Sequence, residues 1–186
     1  MTKSVYYLLG MGGRLDTGLG LALLSRGFNL QGRELAGEFR KLDFGQQVDC
    51  VVNDLQSGAL GEGAFVIANS FGAYLLLHAL AQMPPFMGKV LLLSPIVGQF
   101  SNAATEMSFV PPRSDRLGEI ARARTFPAPK QCEIHVGSDD WQSDPENVKA
   151  FGLAVSITVN VVPSAGHSLP KAYVGCLLDK WTKTLN

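Results

Sequence analysis

Short apolar runs separated by segments of helical period recur along the whole chain, and this alternation limits the available folds more than any other feature. "SVYYLLG" (4–10), "AFVIA" (64–68), "KVLLLS" (89–94), "CEIHVG" (132–137) and "SITVNVV" (156–162) read as strands, with "FNLQGREL" (28–35) a weaker candidate. Most are apolar on both faces, the mark of a parallel sheet covered on both sides. Helical segments fall between them: "TGLGLALLSRG" (17–27), "DFGQQVDCVVNDLQSG" (43–58), "FGAYLLLHALAQM" (71–83), one near 145–152 and the closing "KAYVGCLLDKWTKTL" (171–185). In the second of these, Phe44, Val48, Val51, Val52 and Leu55 share one face, and Gly58 is the expected stop. Strands alternating with helices predict a single α/β domain over 1–186. Its sheet is mostly parallel, of about six strands, with helices on both faces.

The 98–130 stretch breaks the rhythm. It is rich in Ser, Pro, Arg and small residues, with a helical pattern at 115–124. An excursion of this length between core strands is either a lid over a site or a plain surface loop.

Composition excludes several function classes. Hydrophobic residues make up 46% of the 186 and charged residues 17%, enough apolar side chain for a full core. Sixteen basic residues balance sixteen acidic ones, so neither nucleic acid nor an anionic membrane surface is expected as a partner. Cys50, Cys132 and Cys176 form no CxxC pair, which argues against a disulfide framework or a zinc site. The N-terminal apolar run is too short for a signal peptide, and no stretch reaches the roughly 18 apolar residues of a membrane helix. A cytoplasmic location is expected.

The glycines of "GMGGRLDTGLG" invite comparison with a dinucleotide-binding fingerprint. A Gly-x-Gly-x-x-Gly pattern started at Gly10 needs its last glycine where Leu15 stands, and one started at Gly13 needs its second there. No Gly-Lys-Ser/Thr follows either, so a P-loop is absent. No cofactor and no metal are expected.

Ligand sites in parallel sheets form outside the carboxyl ends of the strands. Ser70 follows "AFVIAN", the pair Asp139-Asp140 follows "CEIHVGS", and His167 lies in "PSAGHS" after "SITVNVV". A serine thrust from a strand end onto a helix start needs small neighbours, and Ala68 and Gly72 meet that need. The competing reading of Ser70 is an ordinary helix N-cap. A nucleophilic serine also needs a base and a group to orient that base. His167, between Gly166 and Ser168 in a loop, is free to face the crevice. His78 falls inside a helix among apolar residues, and His135 inside a strand, so packing suits both better. For the acid, Asp140 lies three residues beyond the strand-ending Gly137, with Asp139 its rival. Asp144, before Pro145, better suits a helix start.

The order Ser70, Asp140, His167 resembles the α/β-hydrolase superfamily, whose nucleophile, acid and base follow in that order. The chain looks most like its small serine hydrolases, the retinoblastoma-binding-protein-9-like and YdeN-like group. "YLLGMGG", "VIANSFGAYLLL", "VLLLSP", "HVGSDDW" and "VPSAGHS" match that group's opening loop, elbow, next strand, acid loop and histidine loop. Two positions depart: Ala68 replaces the first elbow glycine, and Leu9-Gly10 stands where His-Gly is common. The resemblance implies a single α/β-hydrolase domain in which the backbone N–H groups of Met11 and Phe71 form an oxyanion hole. It implies a serine hydrolase acting on a small-molecule acyl substrate, a carboxylic ester or thioester. Trp141, Met107 and Phe109 are candidates to line an apolar acyl pocket, with the 98–130 excursion shaping it. The alternative is a non-catalytic protein-binding module that retains the fold.

Overall fold

The computed structural model describes residues 4–57 and 64–183. In chain order the elements are β1 (Ser4–Leu8), α1 (Gly18–Leu24), β2 (Asn29–Arg33), α2 (Gly37–Lys41), α3 (Phe44–Gln56), β3 (Phe65–Asn69) and α4 (Ser70–Leu80). There follow β4 (Lys89–Leu93), β5 (Phe100–Asn102), β6 (Met107–Phe109), α5 (Arg116–Arg122), β7 (Gln131–Gly137), α6 (Pro145–Ala154), β8 (Thr158–Val162) and α7 (Lys171–Lys183). Six strands pair in the order β2-β1-β3-β4-β7-β8, every pairing parallel. The sheet matches the sequence expectation, including the weak second strand.

Alternation along each strand decides which helix covers which face. Tyr6, Leu8, Val66, Ala68, Val90, Leu92, Ile134 and Val136 point to one side and pack in a core with residues of α3, α4, α5 and α6. Their neighbours Val5, Tyr7, Phe65, Ile67, Leu91 and Leu93 point to the other, against Leu23 of α1 and Leu177, Leu178 and Trp181 of α7. All five apolar residues expected on one face of α3 belong to the first core. That helix opens with a capping box: the Asp43 carboxylate accepts from the Gln46 N–H, and the Gln46 side chain accepts from the Asp43 N–H. Gly58, its expected stop, lies outside the described residues.

The 98–130 excursion holds the antiparallel β5–β6 hairpin and α5. It packs over α4, where Phe109 meets Phe71 at 6.2 Å and the Tyr74 hydroxyl donates to the Pro112 carbonyl at 2.7 Å. The hairpin and α2 had no counterpart in the sequence expectation. Strands of three residues and a helix of five are too short for periodicity to register.

From β1 the chain moves outward to β2, then crosses back to β3 on the other side of β1 and continues outward from there. The direction reverses between β1 and β3, and the crevice beyond their carboxyl ends is where such sheets place a ligand.

Candidate active site

The strand β3 ends at Asn69, which takes the N-cap position of α4 with φ −130° and ψ 149°. Ser70 follows with φ +52°, in the left-handed region that a residue with a Cβ enters only at a cost. Ser70 is therefore not the cap. It stands on a sharp turn, with its hydroxyl lifted beyond the sheet end. The turn works because its neighbours are small. A Cβ on Gly72 would lie 2.4 Å from the carbonyl oxygens of Leu8 and Leu9, so α4 could not sit so close to β1. A Cβ on Gly10 would come within 2.9 Å of the Ser70 Cβ. Ala68 is fully buried, its methyl part of the core under α4, which accounts for alanine where a glycine is usual.

Ser70, Asp140 and His167 come together across the strand ends. The Ser70 hydroxyl lies 2.8 Å from His167 Nε2, and the His167 Nδ1 lies 2.9 Å from Asp140 Oδ2 and 3.0 Å from Oδ1. A carboxylate only accepts, so Nδ1 carries the proton and Nε2 is left as an acceptor facing the serine O–H. Asp140 is buried and also accepts from the amides of Gln142 at 3.0 Å and Ser143 at 2.9 Å. Burial opposes its charge, but the hydrogen bonds from His167 and these amides outweigh that and hold the carboxyl below its ordinary value. Asp139 is exposed at the turn: its carboxylate accepts from the Ser138 hydroxyl, and its N–H donates to the Ala165 carbonyl. Asp144 caps α6, accepting from the amides of Glu146 and Asn147. His78 and His135 are both buried away from the serine, the first between Phe44 and Tyr74, the second bonded to the Tyr173 hydroxyl.

Asn69 was missed from the sequence, yet it organises the opposite wall. Its side-chain oxygen accepts from the Tyr7 hydroxyl at 2.8 Å and from the Gly10 N–H at 3.2 Å. Burial pushes the Tyr7 phenol up, so it remains a neutral donor. The Gly10 N–H is thereby occupied, and Met11, the next residue, lines the cleft. The Phe71 N–H belongs to the first turn of α4, whose amides have no intrahelical acceptor. Strand parity was the available signal: Asn69 lies two residues after Ile67 and so faces the same side as Tyr7. Ser143 was also missed. Its hydroxyl donates to the Ser94 carbonyl at 2.7 Å and lies 3.4 Å from His167 Nδ1, fixing the acid loop against the end of β4.

A cleft of about 820 Å³ opens at Ser70 and His167. Its lining comes from the β1–α1 loop, α1, the ends of β3 and β4, and α7. Here the sequence expectation needs correction. None of Trp141, Met107 and Phe109 is among the described residues lining this cleft, and nothing from 98–130 is. The excursion packs on the α4 side of the sheet, whereas the cleft runs along the α1 and α7 side. Trp141 instead lines a neighbouring cavity of about 970 Å³ with Phe100, Phe109 packs on Phe71 and Phe100, and Met107 is exposed.

No protein-family model matches the sequence, and no curated protein matches it significantly. Solved structures do match the fold. A carboxylesterase structure from Nitrososphaera gargenis superposes with a TM-score of 0.67 at 15% identity, covering 97% of this chain and 90% of that one. A YdeN-like hydrolase from Pectobacterium atrosepticum gives 0.65 at 16%, covering 99% and 92%. Paleococcus ferrophilus monoacylglycerol lipase gives 0.67 at 14%, covering 97% and 95%. The fold of this chain is that of the α/β hydrolases.

Proposed function

We propose that the chain is a serine hydrolase that cleaves a carboxylic ester or thioester through an acyl-enzyme on Ser70. One observation carries this: a serine hydroxyl on a strained strand-to-helix turn, 2.8 Å from an imidazole whose other nitrogen is held by a buried carboxylate. The likeness in fold to a carboxylesterase and a lipase supports the same class.

His167 takes the Ser70 proton as Oγ attacks the acyl carbonyl, and Asp140 steadies the imidazolium that forms. The oxyanion of the tetrahedral intermediate rests on the Met11 and Phe71 amides, aided by the N-terminus of α4. His167 then gives the proton to the departing alkoxide or thiolate. Water, deprotonated by His167, attacks the acyl-enzyme, and collapse returns the proton to Ser70 Oγ with release of the acid. Unpaired Cys50, Cys132 and Cys176 support a cytoplasmic setting.

Hydrolysis of p-nitrophenyl acetate tests this. Ser70→Ala abolishes turnover, and Asp140→Asn lowers kcat by about 10³–10⁴ through loss of the required tautomer. Asp139→Asn stays within about twofold, as an exposed turn residue should. If Asp139→Asn alone abolishes activity, the acid is misassigned. If the folded wild type hydrolyses no ester or thioester, a binding role takes its place.

A further inference from the structure

On the face of the sheet covered by α1 and α7, the cleft at Ser70 continues as a groove whose shape follows from residue spacing. Leu19 and Ala22 on α1 are three apart, and Val174, Gly175 and Leu178 on α7 are spaced as one helical face. The floor is Tyr7 and Leu93, which point to this side of the sheet. One side chain bridges the two walls. Arg26 donates through Nη1 to the Ala22 carbonyl at 2.9 Å, through Nη2 to the Gly175 carbonyl at 3.3 Å, and through Nε to Asp179 at 2.8 Å. One guanidinium thus ties the two walls together at their two small residues.

Resting on the hydrolase reading above, we infer that this groove holds the acyl part of the substrate, an unbranched aliphatic chain of medium length, and that Arg26, Ala22 and Gly175 set the limit of that length. Leu19, Ala22, Val174 and Leu178 give the walls an aliphatic stretch beside the Tyr7 ring and Leu93; of the charged lining residues, Arg26 is already bonded to Asp179 and Lys171 opens α7. From Leu19 to Leu24 the α1 wall runs about 8 Å at the helical rise, with Arg26 in the turn just beyond, the reach of a medium-chain acyl group. A groove bridged at Arg26 suits the acyl part rather than the leaving group. The acyl group stays bonded to Ser70 until water arrives, while the leaving group must depart past His167 and let water in by the same path.

Chain-length profiles with p-nitrophenyl acetate, butyrate, octanoate and palmitate test the inference. Each methylene taken into the groove is worth up to about fourfold in kcat/KM. The wild type is expected to favour octanoate over acetate by at least about tenfold and to decline at palmitate. Gly175→Leu fills the groove; a Cβ there meets only Arg26 Nη2, at 3.6 Å, and leucine favours a helix over glycine, so folding is retained. It should cut the octanoate-to-acetate ratio by about tenfold or more, as should Ala22→Leu from the opposite wall. Phe100→Ala, on the other face, should leave the ratio within about twofold. A flat wild-type profile, or a ratio unmoved by both fillers, overturns the groove while leaving the hydrolase standing. So does a length dependence seen only on the alcohol side of acetate esters. Calorimetric titration of octanoate into Ser70→Ala separates the two claims. Saturable binding that Gly175→Leu removes supports the groove even if no ester is cleaved, and absence of binding counts against it.

Discussion

The Ser70 backbone stores strain that its side chain needs for display, and the two can be separated by substitution. Ser70→Ala and Ser70→Gly both lose the bond to His167, but only glycine relaxes φ +52°. The glycine variant should be the more stable by about 1 kcal/mol in urea denaturation, with both inactive. Equal stabilities would mean that the turn is unstrained. Asn69 is a positioning residue at the same scale. Under the proposed mechanism, Asn69→Ala frees the Gly10 amide and loosens the loop before Met11, so kcat should fall by about 10² with KM little changed, because the oxyanion exists only in the transition state. A rise in KM at constant kcat would point to substrate binding instead. The meeting of Ser70, Asp140 and His167 was legible because each follows a recognisable strand end. Asn69 was not, since its role depends on which neighbours a parallel register brings beside it: Ala68 pairs with Leu8, and Gly10 lies just beyond.

Among the elements, α4 is apolar all round and buried along nearly its whole length, yet it contains His78, whose buried Nε2 has no hydrogen-bond partner among the described residues. Burial above all, with Arg113 and Arg116 nearby, pushes its pKa down from 6.5 to about 4. The unfolded chain takes up a proton at the ordinary value and the folded one only near the lowered value. Stability contributed by neutral His78 is therefore full above pH 6.5 and is lost as pH falls towards about 4, by on the order of 3 kcal/mol. His135, also lowered by burial, acts in the same direction. His78→Leu should flatten this acid loss in urea titrations at pH 7 and pH 4.5, and an unchanged slope would contradict it. Helices with a long periodic face, such as α3, were readable in advance. The β5–β6 hairpin was not, because its contacts to Phe71 and Trp141 are tertiary and leave no local pattern. For the same reason Trp141, Met107 and Phe109 were expected to line the cleft at Ser70, which they do not.

At the scale of the molecule, two covered sheet faces do different work. The α3–α6 face carries the larger core and anchors the excursion, while the α1 and α7 face leaves space beside the strand ends. Two small residues, Ala22 and Gly175, are among those lining that space, and size at two positions distant in sequence is invisible to periodicity. The fold class was legible because five apolar strands, a weaker sixth and their helices obey the parallel-sheet pattern, and the crevice at the β1–β3 reversal follows from strand order. Among the described residues no helix is long and apolar enough to cross a membrane.

The central claim, that Ser70 is an activated nucleophile, is tested most directly by exposing the folded protein to a fluorophosphonate probe and mapping the modified peptide by mass spectrometry. The account predicts stoichiometric labelling on Ser70, slowed by about 10³ or more in Asp140→Asn and absent in His167→Ala. Labelling on another residue, or none on folded wild-type protein, would contradict it.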